Sequence, residues 1–238
     1  VKTRVMGAET SETEDQARRV EEFMNYQITT VMDEYTPEMD QLLFYLPLAG
    51  TAFKKVYYDV NKQRAVSTFV PVEDLVVPYT ASDLTNCERV THVVKMSYNE
   101  IRTQQLAGFY RDIPLQPAET NIGNSDTIDK EDEIEGLSAT TNDMMYELLE
   151  CHVSMDMPGF EDEDGYHLPF IITVDRASNE VLSIRRNYNP NDPLRTKIQY
   201  FVHYKFLPGL GFYGFGLIHM IGGLSRTATG ALRQLIDA

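Results

Sequence analysis

Between Thr51 and Leu207 the chain keeps returning to short runs rich in aromatic and β-branched residues, each ended by a polar turn, and this rhythm limits the fold more than any other feature. "TAFKKVYYD" and "AVSTFV" flank a turn containing Asn61 and Lys62 and read as a hairpin, and "DLVV" and "RVTHVVKM" add further short strands. After an acidic interval come "MYELLECHVSMDM", "PFIITVD", "VLSIRRNY" and "TKIQYFVHYKFL", separated by turns such as "DRASNE" and "NPNDP". Parallel neighbours need crossovers of a dozen or more residues, so these short links favour an antiparallel meander of four strands. No internal repeat is apparent.

Helical patterns bracket the strands and set the fold class as α+β: an antiparallel hairpin and meander with long amphipathic helices. Ser11 and Glu14 form S-x-x-E, a capping box, and Val20, Phe23, Met24, Ile28, Val31, Met32 and Tyr35 follow at helical spacing, which fits one long helix. Thr36 before Pro37 restarts a second helix with Leu42, Leu43 and Leu46 inward, until Pro47 stops it. Ser97 and Glu100 open a short surface helix that Gly108 ends. The chain thus divides into 1–112 (helices plus hairpin), 113–143 (an acidic, mobile insertion) and 144–238 (a meander leading into a helix that continues past Ala238). Val1 is not an initiator methionine and the final helix has no capping residue, so the sequence reads as a piece of a longer protein.

Charge bears on partners. Between Gln116 and Gly165, 15 acidic residues face a single lysine, Lys130, so of the formal charge of -15 a share of -14 is local and the remainder is nearly neutral. The basic residues cluster only as pairs such as Lys54-Lys55 and Arg185-Arg186, which argues against a tight grip on nucleic acid or anionic lipid. Cys87 and Cys151 form neither a C-x-x-C pair nor a ligand spacing, so a reducing interior is the expectation. There is no leader pattern and no apolar run of membrane-spanning length.

The chemistry-bearing candidates are few. Gly209, Gly211 and Gly214 spell G-x-G-x-x-G, but a dinucleotide cradle sits between the first strand and first helix of a βαβ unit, and this motif follows an antiparallel meander. Gly209, Gly211, Gly214 and Gly216 read better as a structural hinge, where glycine permits positive φ and close backbone approach while Phe212 and Phe215 anchor the corner. Downstream, Leu217, Ile221, Leu224, Ala228, Ala231 and Leu235 are spaced four, three, four, three, four, the seam of a helix that packs on another helix, either within the chain core or on copies of itself. Gly222, Gly223, Ser225, Thr227, Thr229 and Gly230 add small residues suited to close approach. Cys151 and His152 are adjacent strand positions facing opposite ways, which disfavours a thiolate–imidazole pair. His92, His167, His203 and His219 have no ligand spacing, and "FEDEDGYH" fails as a calcium loop because Phe160 and Ile171 would stand where carboxylates are required. The residues give no catalytic, metal or cofactor signature.

"GTAFKKVYYD", "STFVPVEDLVVPYTASDLTNCERVTHVVKMSYNEIR" and "PGLGFYGFGLIHMIGGLSRTATGALRQLIDA" resemble the portal proteins, or head-to-tail connectors, of short-tailed double-stranded-DNA bacteriophages. The matching blocks, Gly50–Asp112 and Phe206–Ala238, cover a little under half of the chain and fall mostly in what that family calls the wing. The resemblance implies a structural homo-oligomer that is not an enzyme and uses no cofactor. It implies a ring, dodecameric in the full-length protein, at one capsid vertex of the virion, assembled in the host cytoplasm. Its implied partners are terminase, capsid or scaffolding protein, tail adaptor proteins and the double-stranded DNA that passes through the channel during packaging and ejection, with no membrane. Two rival expectations are a nucleotide-dependent soluble enzyme using the Gly209–Gly214 turn, and an adaptor whose acidic segment recruits basic partners.

Overall fold

A computed structural model describes residues 1–116, 145–160 and 165–237. The fold is α+β with antiparallel sheets. Contacts gather the chain into two units, one made of Val1–Val72, Ser82–Leu84 and the segment from Gln199 on, the other of Glu73–Ala81 and Thr85–Ile198. Both units are discontinuous in sequence, so the grouping cuts across a division at 112 and 143. Most of the acidic stretch assigned to 113–143 lies outside the described residues, as do positions 161–164 of "FEDEDGYH".

The first unit opens with α1 (Ser11–Tyr26). Its capping box starts one residue earlier than the S-x-x-E pattern suggests: Thr10 is the N-cap, and its hydroxyl and that of Thr13 exchange bonds with each other's backbone amides. The pattern of one long helix also breaks. Gln27–Val31 widen into a π-turn, where the Thr29 hydroxyl back-bonds to the Asn25 carbonyl, and Met32 leaves helical geometry at φ -97°. A second helix, α2 (Tyr35–Ala49), runs through Pro47 rather than stopping there. The stop is Gly50, in the left-handed region at φ 84°, whose amide closes the last turn on the Leu46 carbonyl. Of the three leucines expected inward, Leu42 is buried and Leu43 faces solvent.

Strands β1 (Thr51–Asp59) and β2 (Arg64–Val70) form the expected hairpin, in register from Phe53 opposite Val70 to Asp59 opposite Arg64. The strand β8 (Phe201–Lys205) pairs with the other edge of β1, giving the order β2-β1-β8. This corrects the four-stranded meander: its last strand leaves the other three. Between β7 (Val181–Arg186) and Phe201 the "NPNDP" stretch folds into turns stapled by the Asp192 carboxylate, which accepts from the Leu194 and Thr196 amides, and this length of chain carries β8 away.

In the second unit β3 (Leu75–Val76), β4 (Arg89–Met96), β5 (Tyr146–Met155), β6 (Leu168–Asp175) and β7 form an antiparallel sheet in that order. The short helix α3 (Tyr98–Leu106) begins at the expected Ser97–Glu100 capping box. Its Ile101 packs with Tyr110, Tyr146, Leu148 and Leu182 in a small core. Next to that core the sheet buries a polar pair, with His152 Nε2 2.7 Å from Glu150 Oε1, and the partly exposed Arg185 beside it stacks on Phe109 at 4.3 Å. Cys151 faces the other way and accepts from the Thr91 hydroxyl, so the adjacent Cys and His do not meet.

Candidate functional site

The hinge glycines lie in the first unit, where the chain from β8 recrosses the end of α2. Leu207 and Phe215 pair across the loop through both backbone bonds, at 3.3 and 2.8 Å. The Phe206 amide donates to the Gly50 carbonyl at 3.0 Å, and the Gly214 amide to the buried Thr51 hydroxyl at 2.7 Å. Two backbone segments therefore touch with no side chain between them. A Cβ on Gly214 would stand 2.5 Å from the Gly50 carbonyl oxygen, one on Gly216 would stand 2.2 Å from that of Leu48, and one on Gly50 would meet the Gly216 nitrogen at 2.2 Å. Such distances are sterically forbidden, so glycine at these places is a packing requirement.

The corner differs from the sequence expectation in three respects. Among Gly209, Gly211, Gly214 and Gly216 none needs positive φ; that demand falls on Gly50, the unforeseen partner. Gly209 is needed because a Cβ would stand 2.5 Å from the Tyr213 carbonyl, whereas Gly211 faces open space. Of the two aromatic anchors, Phe212 is buried and stacks on His203 at 4.6 Å, which in turn lies 4.7 Å from Phe53, while the Phe215 ring is half-exposed. Desolvation in this stack, with the nearby Lys205 charge, lowers the His203 pKa to about 4.

Three backbone amides, at the last glycine of the motif and just beyond it, are already committed. Gly214 donates to Thr51, Phe215 to Leu207, and Gly216 to the Nδ1 atom of His219 at 3.1 Å. This last bond caps the final helix, α4 (Leu217–Asp237): a third-position side chain reaches back to the N-cap amide while the Gly216 carbonyl accepts from His219 and Met220.

Every side chain from Leu217 to Ile236 on α4 is exposed. The six seam residues lie along one side, yet Leu224 is 72% and Leu235 76% exposed, so the helix does not serve as a core element among the described residues. A helix with this apolar stripe ordinarily buries it. Gly223 and Gly230, seven residues apart, fall on the opposite face, beside Arg226 and Arg233, so the close-approach residues of the seam itself are Ala228 and Ala231. The seam is an apolar stripe open to solvent, suited to another apolar surface.

Among the described residues no group of three or more His, Cys, Asp or Glu side chains is placed to hold a metal ion, and no helix is long and apolar enough to cross a membrane. No family model matches the chain, and no curated protein matches it.

Proposed function

We propose that the chain is the subunit of a ring-shaped portal, a structural head-to-tail connector at one capsid vertex through which double-stranded DNA is packaged and ejected. The observation that carries the reading is α4: a 21-residue amphipathic helix, launched from a corner of backbone in direct contact, with its apolar seam facing solvent. Burying such a seam is worth about 25 cal/mol per Å² of apolar surface, which gives a second copy a reason to bind. The resemblance of the Gly50–Asp112 and Phe206–Ala238 blocks supplies the rest: terminase as the source of translocation energy, and capsid and tail proteins as neighbours. The near-neutral charge outside the 116–165 interval is suited to a wall that DNA slides past without sticking.

Negative-stain microscopy and native mass spectrometry test the proposal. The expected result is closed rings of about a dozen copies, built by one repeated heterologous contact. Ala228→Phe, which places a large ring in the centre of the seam, is expected to prevent closure. A monodisperse monomer under every condition overturns the portal reading; normal rings from Ala228→Phe overturn the assignment of the seam as the contact.

A further inference from the structure

The sheet of β4 to β7 has two unlike faces. Side chains alternate along each strand, so the register sets Glu150, His152, Thr173 and Asp175 on one face, and all four are buried. The helix α3 packs on that face through Ile101, against Tyr146 and Leu148. The other face carries Val93, Leu149 and Val174 in one row and Cys151, Ile172 and Ile184 in the next. These six are half-buried or exposed, and among the described residues no helix packs against them. An antiparallel sheet with one solvated face ordinarily sets its polar side chains on the wet side. Here the arrangement is reversed: carboxylates and an imidazole are buried while the open side is apolar, which marks a surface that another apolar layer covers.

Charge identifies that layer. Basic groups stand at both ends of the open face: the exposed Arg89 and Arg186 in the row through Val153 and Phe170, and Lys95 opposite Glu147. The Glu147 carboxylate is itself held by Arg176 at 2.6 Å, and Lys95 feels the charge of Asp74. The face therefore suits an apolar element with net negative charge. Among the described helices α1 has this combination. None of its residues is buried, Val20, Phe23 and Met24 are exposed along one side, and its five carboxylates outnumber Arg18 and Arg19. The seam of α4 is also apolar and exposed, but the charges of that helix ahead of Asp237 are Arg226 and Arg233, which a basic rim repels. The 16 residues of α1 span about 24 Å, more than the roughly 14 Å from β4 to β7.

We propose that the open face of the β4–β7 sheet is the docking surface for α1 of a second copy of this chain. The contact is heterologous, because a helix of one copy meets a sheet of another. It uses no residue of the α4 seam and does not rest on the portal reading.

The Cys151 thiol, near the centre of the face, makes the test direct. Val20→Cys, Phe23→Cys and Met24→Cys are made singly in a Leu224→Asp background, which puts a charge in the α4 seam, and are oxidised with diamide at increasing protein concentration. At least one is expected to give a disulfide between chains, seen as a linked species on a non-reducing gel, and Cys151→Ser is expected to remove it. In sedimentation, Arg89→Glu/Arg186→Glu is expected to weaken association about tenfold in the same background, and Glu12→Lys/Glu22→Lys added to it is expected to restore most of the loss. No link between chains from any of the three cysteine variants, a link that forms only within single chains, a link that survives Cys151→Ser, or charge reversal without effect on association overturns the proposal.

Discussion

Gly216 and Gly50 meet at a distance where neither tolerates a methyl group, while a methyl group on Gly211, in the middle of the same glycine run, would meet only open space. Gly50→Ala and Gly216→Ala are therefore expected to destabilise the first unit by about 1–3 kcal/mol or more, and Gly211→Ala by no more than about 0.5 kcal/mol, read from denaturant midpoints. Equal costs at the three positions would contradict the packing account. The sequence shows that glycines crowd this corner but not which ones matter, because the deciding neighbour, Gly50, lies more than 150 residues away. His203 adds a pH dependence. Its folded pKa of about 4 lies below the ordinary 6.5, so its contribution is complete above pH 6.5 and is lost as pH falls from there toward 4. His203→Phe, which can keep the stack with Phe53 and Phe212, is expected to flatten the thermal stability profile in that window; an unchanged slope would assign it elsewhere. For Lys54, 2% exposed, burial lowers the pKa despite the charges of Glu38 and Glu34. Lys54→Met is expected to raise Tm at neutral pH, by a margin that shrinks as pH is raised toward 10.5 and the unfolded lysine loses its proton.

Elements were legible in sequence where local chemistry decides and not where distant contacts do. The bounds of β1 and β4 and the Ser97–Glu100 helix start follow directly from runs of β-branched and aromatic residues and from capping. Pro47 does not stop α2, because proline in a last turn costs only one backbone bond, and Gly50 supplies the left-handed cap. Turn signals mark the end of a strand without saying which edge the next one finds, so the pairing of β8 with β1 is not visible in the sequence. The seam of α4 was visible as a spacing, but its exposure is a property of the folded chain. Leu224→Asp and Leu235→Asp are consequently expected to leave Tm of a dilute sample within about 0.5 kcal/mol equivalent of the original, as surface substitutions do, while weakening any self-association. A large loss of Tm at dilution would mean that α4 is packed within its own chain.

For the whole molecule, the two units hold their hydrophobic and aromatic residues differently. The first clamps a sheet between α2 and the glycine corner and leaves the seam of α4 to solvent; the second gathers a small core around Ile101 and Leu148 beside buried polar groups. Among the described residues nothing in the first unit covers the seam of α4, and in the proposed ring a neighbouring copy would cover it. Native mass spectrometry over a range of concentrations measures this most directly. The account predicts a concentration-driven shift from single chains to one closed species of about a dozen copies. A single chain persisting at the highest concentration would contradict it.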